Sequence, residues 1–475
     1  MVLGKSLPSG PAGLPILGSL LSLDRRPELT LQEWAQKFGP LYSVWLGEQL
    51  HIVVSDPQIA KDLLVAQGNT FSSRKDTFVK SGIVFAGRGI SAVPTGENWT
   101  KNHRLISPYF SIEALKGYLP GLEIEAVDML RDLYIRSEGG KIPVNPLPHV
   151  TRTSLNNMLT IIFGLRTDSI DHPLVGYWLK LAQEFTTVTG PISNPVDFVP
   201  FLRRFPTLSG VNRAKQLHQS LVNIGGALVD DIDRRIKAGE DVPDCLARHL
   251  LKLKEEENLD SQDIVLLCCE LMIASVEKTA AVMSGFVAQI GEYADVQARA
   301  QAELDRVVGR DRLPGLELEK DLPYIGAIVK ETERLNNPRP LAIPHTSTQD
   351  VTYRGHFIPK DTVIVLNTHA LTHDAARYAN PDKLEPERHL KDQPTNVEPG
   401  YSVFGYGPRA CPGKTLAQQE IFLVVACLLW AFDVQKYQGA IIEAHDELST
   451  GSFAPVRVKL SPRHNRVSAV LGYRA

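Results

Sequence analysis

The sequence predicts a mainly α-helical chain with a smaller β portion, and three observations carry that expectation. Helical periodicity prevails from about Pro57 to Leu335. Strand-like alternation is confined to short stretches, chiefly Leu46–Ser55 and Val351–Asn367. No internal repeat, low-complexity tract or composition break divides the 475 residues, so one domain over 1–475 is expected.

The elements follow in order. Pro8, Pro11 and Pro15 fix φ and remove backbone donors, so residues 1–20 read as turns and extended chain. Leu46–Ser55 reads as a hairpin-like strand region. Helices are expected at Pro57–Ala66, Glu113–Glu138 and Leu208–Ala238. A central helix starts at a cap formed by Asp260 or Ser261 and runs through Ile264, Leu267, Leu271, Ile273, Val276 and Ala280. It is apolar almost all round, which marks a buried helix, yet it carries Glu270, Glu277 and Lys278. Buried charges are costly unless paired or used. Helix returns at Gly413–Phe432, and the tail after Ala444 reads as strands and turns.

Bulk properties exclude several classes. A net charge of −3 gives no electrostatic case for a nucleic-acid partner. The five cysteines (245, 268, 269, 411 and 427) are odd in number and lack CxxC spacing, which fits a reducing compartment better than a disulfide framework. The apolar run Ile421–Phe432 suits a buried core helix, because a bilayer span needs ~20 residues.

The sharpest local signal is FGYGPRACPG, residues 404 to 413. Glycines at 405, 407 and 413 and prolines at 408 and 412 dictate a tight turn that lifts Cys411 off the helix that follows. Backbone N–H groups at a helix start, together with Arg409, favour a thiolate and suit a metal-bound sulfur. A rival reading is dinucleotide binding, since Gly405, Gly407 and Ala410 match GxGxxG/A. Pro408 inside the turn and a loop-like segment upstream oppose it.

On these residues the chain resembles the cytochrome P450 superfamily. The family pattern FxxGxRxCxG is met by Phe404, Gly407, Arg409, Cys411 and Gly413, and the resemblance extends over essentially the whole chain. It implies heme b (iron protoporphyrin IX) between the long central helix and the cysteine-loop helix, with Cys411 as iron ligand. It also implies a buried structural network of Glu331, Arg334 and Arg388, matching the family's ExxR and PER segments. The texture is similar to eukaryotic microsomal, fungal members. The proline-rich start resembles the hinge that follows their membrane anchor, which is expected to be absent from this chain. The location implied is the cytoplasmic face of the endoplasmic reticulum.

Haem propionates need buried cations and donors. By resemblance these come from Trp99, His103 (where relatives carry arginine), Arg104, His345 and Arg409, with Phe404, Gly413 and Ala274 also against the cofactor. His369 and His373 have zinc-like spacing but lack a third ligand, so they read as structural.

The pattern breaks on the oxygen side. Relatives carry (Ala/Gly)-Gly-x-(Asp/Glu)-Thr-Thr; here stand Ala274, Ser275, Val276, Glu277, Lys278 and Thr279. Glu277, Lys278 and Thr279 are the candidate catalytic residues. A threonine hydroxyl donates and accepts, whereas an ammonium only donates. Lys278 has no carboxylate three or four places away, so it is expected to be unpaired within its helix and to have a lowered pKa. Three roles stay open: a pair with a distant acid, a contact to an anionic or carbonyl group of the substrate, or proton donation or weak iron ligation.

The pocket walls are expected from Phe78–Ile90, Asn194–Phe205, the central helix, Leu341–Ile343 and Gly451–Phe453, mostly apolar, implying a lipophilic substrate. Pro195–Leu202 is expected to touch a membrane surface, and Lys101, Arg104 and Lys414 to help dock a reductase. The function implied is a monooxygenase of secondary metabolism using O₂ and electrons from NADPH through cytochrome P450 reductase. The alternatives are a haem-thiolate oxidase that couples, desaturates or rearranges without inserting oxygen, and a haem-binding sensor or electron carrier.

Overall fold

Asp260 begins the helix around which the other elements pack. Its carboxylate accepts from the Asp263 N–H at 2.8 Å, and the Asp263 carboxylate accepts from the Asp260 N–H at 2.9 Å. This reciprocal box satisfies two of the donors that a helix start leaves open. The helix then runs from Ser261 to Ile290. The computed structural model describes residues 6–190, 192–205, 210–390, 403–437 and 457–472.

The central helix is buried because other helices cover it on several sides. Leu147–Phe163, Pro173–Thr189, Val211–Lys237, Pro323–Leu335 and Lys414–Ala431 all pack on it. Each fully buried Leu, Ile or Val contributes roughly 1.5–3 kcal/mol, which offsets the cost of enclosing the charged residues. Cys268 and Cys269 are part of this packing. At Gly225, on the helix Val211–Lys237, a β-carbon would lie 2.4 Å from the Cys269 sulfur, so the two helices meet where only glycine fits. Lys414–Ala431 is long and apolar enough to cross a membrane, yet most of it is buried among these helices, as a core helix should be.

The β portion is small. Strands β1 (Leu41–Leu46) and β2 (Gln49–Val54) form an antiparallel hairpin. It starts earlier than the alternation suggests, because Leu41 to Val44 are buried consecutively rather than on alternate faces. Farther along lie β3 (His345–Thr346), β4 (Val351–Tyr353), β5 (His356–Ile358) and β6 (Val363–Leu366). The order β1-β2-β6-β3 makes one sheet, with β2 and β6 parallel. A bridge between Ser73 and Thr346 then fixes the loop carrying Arg74 beside His345. Strands β7 (Phe432–Lys436) and β8 (Val458–Pro462) pair antiparallel.

Helix ends shift modestly from expectation. Glu113–Glu138 is realised as Ile112–Arg136, and Pro57–Ala66 as an α-helix to Lys61 followed by a π-helical turn to Ala66. The helix expected from Leu208 is described as Val211–Lys237, Leu208 itself lying outside the described residues. The tail holds a short helix, Arg466–Val470, where strands and turns were expected. Burial of Val467 and Leu471 explains it.

Glu331 anchors the network near the cysteine loop. Arg334 donates to both its oxygens, at 2.9 and 2.8 Å. Arg388 bonds Oε1 at 3.0 Å, and His389 Nε2 lies 2.8 Å from Oε2. Burial alone would raise this carboxyl's pKa; the bonds from Arg334 and His389 overcome it and hold it down to about 2. Arg334 also donates to the Thr372 and Pro381 carbonyls, at 2.7 and 2.6 Å, tying the helix Pro323–Leu335 to the chain ahead of the PER segment.

Candidate functional site

The cysteine loop is shaped by two glycines with left-handed backbone, Gly405 at φ 77° and Gly407 at φ 62°. At Gly407 a β-carbon would lie 1.9 Å from the Leu64 carbonyl oxygen, so this position admits no side chain. The Cys411 N–H donates to the Phe404 carbonyl at 2.8 Å and closes the loop. The helix begins only at Lys414, leaving Cys411 off it. Among the described residues, Val403 and Phe404 ahead of the turn are not in a strand, and the segment 391–402 lies outside the described residues. Cys245, Cys268, Cys269 and Cys427 are buried, whereas Cys411 is open to a cavity. Burial within protein walls pushes its thiol pKa up, against the Gly413 N–H and Lys414. The loop donors thus act in the direction expected from the helix start, favouring the thiolate against burial.

The cavity separates this loop from the central helix. Leu271, Ala274, Ser275, Lys278, Thr279 and Val282 line it from one face of that helix. Ala274 is exposed although its helix is buried, because its small side chain borders the open space. Phe404, Gly413, Leu416 and Ala417 line the opposite wall.

Cations gather at one end. Arg74 donates to the Ile343 carbonyl and, at 2.8 Å, to that of Pro344. Its Nε is buried with no partner among the described residues. His345 Nδ1 lies 2.8 Å from the Phe71 carbonyl, which can only accept. Its Nε2 thus becomes a donor only when the ring is protonated. Arg409 donates to the Ser72, Ile90 and Val93 carbonyls at 2.8, 3.0 and 2.9 Å. Its guanidinium stands 4.3 Å from the centre of the Trp99 ring, and His103 lies 5.1 Å from that ring.

This cluster is electrostatically incomplete. Burial, and then Arg409, lower the Arg74 pKa to about 9; burial lowers that of Arg409 to about 10 against the pull of Glu270. Burial, and then Arg74, hold the His345 pKa well below its ordinary value. Glu270 acts on Arg409 only through space, its oxygens accepting from Ile90 N at 2.5 Å, Ser91 N at 2.9 Å and the Ser91 hydroxyl. An orphaned guanidinium nitrogen and mutually repelling cations fit a buried group with two acid functions. The sulfur across the cavity fits a thiophilic metal. A haem with two propionates satisfies both demands, so the residues present fit that group.

Most expected residues meet here: Trp99, His103, Ala274, Lys278, Thr279, His345, Phe404, Arg409, Cys411 and Gly413 all line the cavity. Arg104 does not. It makes a bidentate pair with Glu257, at 2.9 and 2.6 Å, because one step along the helix turns it to the outer surface. Lys101 likewise reaches the Glu257 carbonyl at 3.5 Å. Lys278 is not unpaired within its helix. It forms an ion pair with the adjacent Glu277 and reaches the Thr186 hydroxyl at 3.5 Å. Spacing rules describe neighbouring β-carbons, and the long lysine side chain folds back past them. Glu277 is buried behind the wall and accepts from Thr186 at 2.5 Å. Burial, and then Arg339, bring the Lys278 pKa down to about 8 despite Glu277.

The walls differ in part from expectation. Lys80, Ile90, Ala342 and Ile343 contribute as expected. The segment 194–205 does not line the cavity; Phe185, on the helix Pro173–Thr189, takes that place. Gly451–Phe453 lies outside the described residues. The lining is also more polar than expected, through Arg74, Lys80 and Arg339 and the carboxyl groups of Glu270, Glu333 and Glu420. No local motif marks Arg74 or Lys80, though Arg339 between Pro338 and Pro340 is a fixed turn bearing a charge. His369 and His373 stack with ring centroids 4.2 Å apart.

Comparison with known proteins gives one family. The model described as Cytochrome P450 matches residues 8–461. The cytochrome P450 monooxygenase fogE of Aspergillus ruber is 31% identical over 465 residues, covering 94% of this chain and 85% of its own length. The cytochrome P450 monooxygenase polD of Polytolypa hystricis is 31% identical over 464 residues, covering 94% and 87%. The cytochrome P450 monooxygenase verL of Clonostachys rogersoniana is 29% identical over 453 residues, covering 92% and 82%.

Proposed function

The chain belongs to the cytochrome P450 family of heme b oxidoreductases, and from that premise we propose that it oxidises a lipophilic small molecule of fungal secondary metabolism, with Cys411 as the iron ligand. Electrons come from NADPH through cytochrome P450 reductase. The observation that carries the reading is the open Cys411 sulfur, which lines one cavity with the central helix and with the buried cations Arg74 and Arg409. One catalytic domain spans residues 1–475, with 1–20 as its hinge.

When bound, the haem supplies O₂ activation and the oxidising power, with thiolate donation favouring O–O cleavage. The chain's own residues do the rest. The Gly413 N–H supports the Cys411 sulfur. Arg74, His345 and Arg409, with Trp99 and His103, hold the two acid groups. The apolar residues Leu271, Val282 and Phe185 orient an apolar substrate and exclude water. Lys278 holds a proton at Nζ in the cavity, and Glu277 and the Thr186 hydroxyl lead away from it into the protein. With a pKa near 8, Lys278 can release that proton near neutrality.

The ammonium at 278, where relatives carry threonine, favours a second reading: coupling, desaturation or rearrangement without oxygen insertion. Product mass separates the two, since insertion adds one oxygen and the alternative does not. Membrane contact by the segment after Pro195 is supported by Phe201, 59% exposed, and Phe205, 44% exposed, beside Arg203 and Arg204. That placement suits the cytoplasmic face of the endoplasmic reticulum. The reduced carbon monoxide difference spectrum tests the central reading: a thiolate-type Soret band is expected, and a histidine-type band overturns it.

A further inference from the structure

Three cations enter the cavity from three separate elements, apart from the Arg74, His345 and Arg409 set. Lys80 comes from the π-helical segment Phe78–Val84, Lys278 from the central helix, and Arg339 from the turn after the helix Pro323–Leu335. The Arg339 backbone is pinned. Its N–H donates to Asn337 Oδ1 at 3.0 Å, and its carbonyl accepts from the Thr368 hydroxyl at 2.7 Å. Its guanidinium has no hydrogen-bond or ion-pair partner among the described residues. The Lys80 ammonium has none either; it stands 5.9 Å from the centre of the Phe185 ring. Glu277 pairs directly with Lys278 and acts on Arg339 only through space, as Glu270 does on Lys80. Two positive groups thus remain beside an apolar surface formed by Leu271, Val282 and Phe185.

We propose that the substrate is an apolar molecule bearing a carboxylate, which Lys80 and Arg339 bind with Lys278 beside them. Burial of two cations with no direct hydrogen-bond or ion-pair partner is costly, and an entering anion offsets that cost while its apolar body fills the rest of the cavity. The lowered pKa values agree. Burial and then Arg339 bring Lys80 down to about 7, and burial lowers Arg339 against Glu277. The inference rests on the monooxygenase reading, because it takes this cavity as the substrate site.

The test uses the full-length, haem-loaded protein and a panel of aliphatic and aromatic carboxylic acids, each paired with its methyl ester. Binding is measured by calorimetry and by the optical shift of the haem. At least one acid should bind about tenfold or more tightly than its ester, as expected for a buried charge-assisted contact. Lys80→Met combined with Arg339→Met should abolish that preference and leave ester affinity unchanged. The proposal is overturned if no acid outbinds its ester, if the preference survives in the double variant, or if that variant folds but loses haem, which assigns these cations to the propionates. The carbon monoxide spectrum of the same preparation separates the two claims. A thiolate-type band without acid preference sinks only the substrate inference, whereas a histidine-type band sinks the monooxygenase reading.

Discussion

Lys278 and Glu277, consecutive on the central helix, form an ion pair at the edge of the cavity, and the Thr186 hydroxyl touches both side chains. By the family resemblance, this pair stands where an acid followed by threonine is expected. Its consequence is a titration near neutrality. The charged groups facing Lys278 are Glu277, Arg339 and Lys80. As a cationic donor Lys278 acts when protonated, so turnover should fall as pH rises through about 8. In Lys278→Met that limb should vanish from the pH profile. In Glu277→Gln it should move to lower pH, because a counter-charge that favours the ammonium is gone. An unaltered limb in both variants would remove Lys278 from proton delivery.

Cys411→Ala should abolish tight haem retention, and Cys411→His should replace the thiolate-type carbon monoxide band by a histidine-type one. Haem content after gel filtration and the reduced spectrum give the readout. Retention of a thiolate band in either variant would point to another cysteine, although the other four are buried.

Arg74→Leu should weaken haem retention by about tenfold, the worth of one charge-assisted contact to a propionate. Arg104→Ala should leave it unchanged, because Arg104 is engaged by Glu257 on the outside of its helix. Competition for haem with apomyoglobin measures both. Equal losses in the two variants would refute the assignment of Arg74.

Glu331 makes the fold acid-sensitive. Its carboxyl titrates below its ordinary 4.5, at about 2, so its contribution is fully present above about pH 4.5 and is lost as pH falls through 2. That depression corresponds to about 3 kcal/mol. Glu331→Gln leaves Arg334 buried without its anion, and Arg388 with Glu385 alone, and should cost roughly 3–5 kcal/mol. Denaturant unfolding at pH 7 and pH 3 should show the gap between wild type and variant narrowing in acid.

Legibility varied with how local the cause was. The cysteine loop could be read directly, because glycines, prolines and Cys411 within ten residues leave the chain few conformations. Glu331 and Arg334 lie at i and i+3 on one helix, so their pairing also followed. Arg388 required the resemblance, and His389, beside it on the same carboxylate, carried no signal of its own. Arg104 shows the opposite failure: next to His103 in sequence, it points elsewhere because one helical step rotates a side chain by about 100°.

The sequence by itself determined the helical class, the buried central helix, the cysteine loop and the anomaly at position 278. These depend on periodicity, turn chemistry and residue type, which act over a few residues. Only the tertiary structure decided that Lys278 pairs with its neighbour, that Arg74 joins His345 and Arg409, and that Lys80 and Arg339 line the same cavity. Each of these unites residues on separate elements, or depends on how a long side chain folds in a crowded interior. Burial then sets the energetics, because a charge whose position is unremarkable in the sequence becomes costly once low-dielectric walls close around it.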